Sequence, residues 1–171
     1  MSVSSSAPAR AVPSRLLADR LRPTVLARDE LLPVAPAFTE LLGTPGLRRG
    51  STVAISTTGG AGATALAFSL LAAASTEGAW CAAVEMADLG VVAAAELGVA
   101  LDRLALVPRP GRKLAPVIAA LLDGCDVVLT PTSVSAPDFR RLAARARERR
   151  SVLVMLSGSR AVAASRRPVP D

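Results

Sequence analysis

An α/β fold, with a parallel sheet of about five strands and helices on both faces, is what the 171-residue sequence predicts. Three observations predict it. Short apolar runs alternate with helix-length segments at regular spacing. The runs are apolar throughout rather than at every second residue, as strands buried on both faces require. The first of them, Thr52-Val53-Ala54-Ile55, enters a glycine-rich turn, Ser56-Thr57-Thr58-Gly59-Gly60-Ala61-Gly62-Ala63-Thr64, and a segment with helical spacing leaves it.

In chain order, residues 1–14 are rich in Ser, Pro and Ala with no apolar period, and are expected to be disordered. Residues 15–40 read as a helical extension. Within it, 15–21 form a short amphipathic helix capped by Ser14 and stopped by Pro23, and 24–32 form a second carrying Val25, Leu31 and Leu32. The main domain spans 41–156. Residues 41–50 are a turn-rich entry to the first strand, 51–56, and Thr64 opens a helix to about Ser75. The second strand is 80–84. A helix over 90–98 ends at Gly98, and the third strand is 104–107. After a loop at 108–112 comes a helix over 113–122, ending at Asp123-Gly124, and a fourth strand at 126–130. Pro137 starts a basic helix to about Arg150, and 151–156 form the fifth strand. Residues 157–171 are a Ser/Arg/Pro tail expected to be disordered.

Composition narrows the chemistry. The apolar fraction of 51% is ample for a core, but aromatics are scarce: Trp80, Phe38, Phe68 and Phe139. Histidine is absent, which removes the usual general base and the commonest metal ligand. Cys81 and Cys125 both lie in apolar runs and read as buried reduced thiols. No apolar run reaches membrane-spanning length, and the N-terminus lacks a signal pattern, so a cytoplasmic protein is expected with no membrane partner. The net charge is +6, carried by 19 arginines and a single lysine, Lys113. Such a balance favours polyanions and acidic partners.

Strand, glycine loop and helix is the context of a phosphate-cradling loop, whose pattern is G-x-x-x-x-G-K-[ST]. Here Gly59, Gly60 and Gly62 keep the backbone permissive and Thr64 keeps the hydroxyl. Ala63 stands where the lysine belongs, and Thr57 where the first glycine belongs. The lost cation is the one that neutralises the terminal phosphates.

From Leu41 to Leu156 the chain resembles a truncated RecA-like P-loop NTPase core. Gly46-Leu47-Arg48-Arg49-Gly50 is similar to that superfamily's G-L-P-x-G lead-in, and Cys81-Ala82-Ala83-Val84-Glu85 to its second strand. Leu97-Gly98-Val99-Ala100-Leu101-Asp102-Arg103-Leu104 resembles its L-G-V-x-x-D-x-L segment, and Asp126-Val127-Val128-Leu129 sits where the Walker B strand would be. More narrowly, the short, basic chain resembles the actinobacterial ImuA-type accessory proteins of SOS-induced mutagenic translesion synthesis. That resemblance implies two partners, an ImuB-like relative of the Y-family polymerases and an error-prone replicative-type DNA polymerase.

The resemblance also implies acidic residues that this sequence lacks in register. The Walker B strand is followed by Thr130-Pro131, and Asp126 stands at its opposite end. After the second strand, where a catalytic glutamate is expected, the chain has Glu85, Met86, Ala87 and Asp88. The expectation is therefore a non-catalytic interaction module with no catalytic residues, no metal and no required cofactor. The loop backbone permits weak ATP binding at most. Alternatives are a divergent RecA-like ATPase and a regulator that binds RecA. Arg140, Arg141, Arg145, Arg147, Arg149 and Arg150 in the last helix are candidate contacts to DNA or an acidic partner, against the alternative of a solvated basic face.

Overall fold

In the computed structural model, described here for residues 30–56, 62–86, 90–131 and 133–157, the chain divides into two units. The first, Met1–Glu30, contributes only Glu30 to the described residues; the second, Leu31–Asp171, carries the sheet. The two helices expected within 15–32, the segments 1–14 and 158–171, the turn residues 57–61 and Asp88 all lie outside the described residues, apart from the C-terminal end of the second helix.

That end is a strand. Leu31–Pro33 (β1) pairs antiparallel with Gly46–Arg48 (β2), with Leu32 opposite Leu47. Both leucines are buried, which an extended pair sharing one face accomplishes and a helix over 24–32 would not. Between them Pro36–Leu42 forms a short helix (α1), begun by a proline in its first turn and ended at Gly43 in the left-handed region. The turn-rich entry thus contains a helix and a strand. Phe38 and Leu42 of α1 pack on the core.

Thr52–Ser56 (β3) follows, then the helix Ala63–Thr76 (α2), Cys81–Val84 (β4) and the short helix Val91–Glu96 (α3). Leu104–Val107 (β5) leads through a single 3-10 turn to Leu114–Gly124 (α4). Val127–Pro131 (β6), Ala136–Arg149 (α5) and Val152–Ser157 (β7) complete the unit. Ser135 caps α5 by accepting from the Asp138 amide, and Arg150 closes it at φ 58°.

The five strands β3 to β7 form one parallel sheet in the order β3-β7-β6-β4-β5. The last strand in sequence therefore separates the glycine-turn strand from β6. Two apolar layers cover the sheet. On one face Ala67, Phe68, Leu71 and Ala74 of α2 meet Ile55, Ala83, Leu129, Val154 and Leu156. On the other, Ile118 and Leu122 of α4 and Leu142 and Ala146 of α5 meet Ala82, Val84, Val128, Leu153 and Met155. With so few aromatics, these branched and small side chains carry the core as composition requires.

Coverage thins at both edge strands, and Leu106 of β5 is exposed. β4, β6 and most of β7 are buried on both faces, whereas Thr52, Ala54 and Ser56 of β3 are exposed. Their partners Leu153 and Met155 lie beneath α5, so the helix layer stops one strand short of the edge. The approach to that edge is tight: Gly50, at φ 78°, lies so near α5 that an added Cβ would come within 3.2 Å of the Arg147 Cα.

Candidate functional site

In a parallel α/β sheet ligands are taken at the carboxyl ends of the strands, where loops run into helix N-termini. That rim is formed here by Ser56, Glu85, Val107, Thr130-Pro131 and Ser157, together with the start of α2. Gly62 stands at the head of α2 with φ 89°, and its carbonyl accepts the first helical hydrogen bond, from Leu66 at 2.8 Å. Nothing lies within 4 Å of where a Gly62 Cβ would stand, so its backbone conformation, and not space, demands glycine. No side chain caps this helix, and its first amide groups carry the partial positive charge that attracts anions.

Of the four phosphate-loop residues read from the sequence, Gly62 and Thr64 are placed at this helix start, with Thr64 half-buried. Gly59 and Gly60 lie outside the described residues. Ala63, in the lysine position, is fully buried within the core layer beneath α2. The position is therefore apolar in surroundings as well as in identity.

The rim's other polar groups are few. Glu85 follows β4 directly with φ 58°, a left-handed conformation unusual for a residue with a side chain. Its amide donates to the Val107 carbonyl at 2.9 Å, and its carboxylate Oε2 accepts from the Ser133 hydroxyl. Glu85 is thus at the rim, committed to a serine after β6. Thr130 is fully buried, and among the described residues its hydroxyl donates only to the Pro131 carbonyl, at 3.3 Å. It stands near the end of β6, where a magnesium-binding carboxylate would be placed in a working nucleotide site. Ser157 ends β7 and donates to the Ile55 carbonyl at 3.3 Å. Among the described residues no three His, Cys, Asp or Glu side chains gather as a metal site would need.

Asp126 lies at the opposite rim, as its position at the head of the fourth strand implies. There it accepts from Arg49 Nη1 at 2.5 Å and from the Trp80 amide at 2.9 Å. Its own amide donates to the Trp80 carbonyl, and its carbonyl accepts from the Val152 amide. Through its carboxylate and its main chain, Asp126 so ties the lead-in of β3 to the heads of β4, β6 and β7. Nearby, Cys81 is buried, and desolvation first, then the negative charge of Asp126 and the Cys125 sulfur, push its thiol up to about 12. Burial and Asp126 also raise Cys125.

Of the six candidate arginines, five lie in α5 and Arg150 follows its last residue. Arg145 donates through Nε to Asp123 Oδ1 at 2.8 Å, and Arg149 reaches the same oxygen at 3.0 Å. The hydrogen bond from Arg145, with the charges of both arginines, holds the Asp123 carboxyl below its ordinary value. Arg141 lies 4.0 Å from Asp138, and Arg150 forms the helix cap. Arg140 and Arg147 have no carboxylate within ion-pair distance among the described residues; Arg147 Nε donates weakly to the Ala143 carbonyl at 3.4 Å. Asp123 was legible only as the end of a helix. Its role depends on α4 and α5 lying side by side, which spacing along the chain does not encode.

No helix among the described residues is long and apolar enough to cross a membrane.

Solved structures of similar architecture include the flagellar accessory protein FlaH from Methanocaldococcus jannaschii. It has a TM-score of 0.55 and 13% identity, with 74% of this chain and 70% of that chain covered. SulA from Pseudomonas aeruginosa matches with a TM-score of 0.51 and 16% identity, over 62% of this chain and 98% of that one. At such identities the likeness shows the fold, which is RecA-like. The uncharacterized protein Rv3395c of Mycobacterium tuberculosis is 37% identical over 100 residues, 57% of this chain. The chain spans about half the length of that relative, 49%. The family described as MT3502 N-terminal domain matches residues 40–161, the whole of the sheet and its helices beyond α1, and the chain belongs to that family.

Proposed function

We propose that the chain is a RecA-like module that does not hydrolyse nucleotide and acts as an accessory protein in the DNA-damage response. Its setting is mutagenic translesion synthesis, where it bridges an ImuB-like protein and an error-prone polymerase. One observation carries the non-catalytic part. At the rim where the phosphates of a nucleotide would lie, the lysine position is a buried alanine and the end of β6 is a buried threonine and a proline. Phosphoryl transfer depends almost wholly on positioned charge, and neither the cation nor the metal-binding carboxylate has a replacement among the described rim residues. Glu85, the acid among the described rim residues, is held by Ser133. The setting rests on the sequence resemblance from Leu41 to Leu156.

Purified protein is expected to show no ATP turnover above a no-enzyme control, and Thr64→Ala to change nothing. Turnover that Thr64→Ala abolishes would favour the divergent ATPase. For the partners, affinity capture from DNA-damaged cells should recover a Y-family polymerase relative together with a replicative-type polymerase. Recovery of RecA without either would favour the regulator.

A further inference from the structure

The flank of α5 bearing Arg140 and Arg147 and the exposed face of β3 lie side by side. The parallel ladder fixes which way the β3 backbone points. The Leu153 amide donates to the Ser51 carbonyl at 3.1 Å, and the Ser157 hydroxyl reaches the Ile55 carbonyl, so Ser51, Val53 and Ile55 bond toward β7. The amides and carbonyls of Thr52, Ala54 and Ser56 therefore point to the open edge, where no strand pairs with them among the described residues. This edge has none of the usual guards: no charge, no proline and no bulge in Thr52-Val53-Ala54-Ile55-Ser56.

Helix α5 runs antiparallel to the strands. Arg145 and Arg149 turn toward Asp123 of α4, and the opposite flank passes Gly50, at the foot of β3. Arg140 and Arg147 share that flank, seven residues and about 10 Å apart. Over its five residues β3 spans about 13 Å. Arg140 and Arg147 thus run alongside the edge, and Arg48, exposed and with no ion pair among the described residues, stands at the turn into it.

We propose that an extended, acidic segment of a partner protein adds to this edge as a sixth strand. Its backbone pairs with Thr52, Ala54 and Ser56, and carboxylates on its α5 side meet Arg140 and Arg147. Alternate side chains on its other side, beside Val53 and Ile55, are apolar. Charge selects this occupant over the nearer ones. A second copy paired edge to edge would bring its own arginine flank against this one, and residues 158–171 carry Arg160, Arg166 and Arg167. The inference does not rest on the damage-response setting.

The probe is a fluorescent eight-residue peptide alternating Val and Glu, with a Val/Lys counterpart, titrated into the full chain. The Val/Glu peptide is expected to bind in the micromolar range and at least tenfold more weakly at high salt. On binding, the amides of Thr52, Ala54 and Ser56 should gain hydrogen-exchange protection. Ala54→Pro removes a donor from the open edge and none from the β7 ladder, and should abolish binding. Arg140→Glu with Arg147→Glu, both on the surface, should weaken it at least tenfold with the melting temperature unchanged. The proposal is overturned if the Val/Glu peptide fails to bind at millimolar concentration or the Val/Lys peptide binds equally. Two further results also overturn it: a dimer that Ala54→Pro dissociates, or probe binding that appears only after residues 158–171 are deleted. Binding of single-stranded DNA that needs both arginines but survives Ala54→Pro, with no binding of the acidic peptide, would assign the flank to nucleic acid instead.

Discussion

Ala63 concentrates the question of activity in one residue. A lysine there would place a cation where the core packs on Ile55 and Phe68, and where an alanine fills the space completely. Ala63→Lys is expected to cost about 2–4 kcal/mol and to lower the melting temperature by roughly 10 °C. No ATP turnover should appear, because β6 still lacks its carboxylate. A colorimetric phosphate assay and a thermal melt on one preparation check both parts. Cys81 gives a second expectation. A thiol pushed up to about 12 stays protonated in the fold, while in the unfolded chain it titrates near its ordinary value of 9.0. The contribution of this group is fully present below pH 9 and is lost as pH rises toward 12. Native protein should therefore react with a thiol reagent at Cys125 alone at neutral pH, Cys81 following only in denaturant. Urea midpoints should fall between pH 9 and 11 more steeply than in Cys81→Ala.

At the scale of elements, the sheet strands and their helices were legible because apolar runs and helical spacing alternate without ambiguity. Boundaries moved by a residue or two, as frayed helix ends do. The region before β3 was less legible. Leu31-Leu32 and Gly46-Leu47 are too short to show a period of their own, and only their mutual pairing makes them strands. The site divided in the same way. The missing lysine and the misplaced Asp126 could be read directly from the motif's spacing. Ser133 beside Glu85 and Asp123 beside Arg145 could not, since each joins elements 48 and 22 residues apart. The α4–α5 contact makes its own prediction. The carboxyl of Asp123 is held low, so its stabilisation is present above the ordinary aspartate range and fades as pH falls through the lowered value. Urea midpoints of the wild type should drop more between pH 5 and pH 3 than those of Asp123→Asn. Because the group is exposed, salt should shrink the difference.

For the whole molecule, the two apolar layers explain why a chain with so few aromatics folds as a RecA-like sheet. The same parallel frame leaves a rim for ligands and, at β3, an edge for a strand. The sheet is held by its layers and, at the opposite rim, by Asp126. Function and stability are thus separable along the strand direction.

The order β3-β7-β6-β4-β5 also sets a timetable. On a ribosome, β3 is made first among the five, yet its only sheet neighbour among the described residues is made last, about a hundred residues later. Until β7 emerges, β4, β5 and β6 can assemble and α2 can meet Ala83 and Leu129, while β3 waits without its sheet partner and α2 without Val154 and Leu156. Closing so long a loop is slow, and the waiting surface is the one most prone to wrong contacts. A chain ended at Arg150 is expected to leave the tunnel without forming the glycine-turn unit. Pulse proteolysis of arrested nascent chains should show protection of residues 52–76 only once residue 157 has cleared the ribosome.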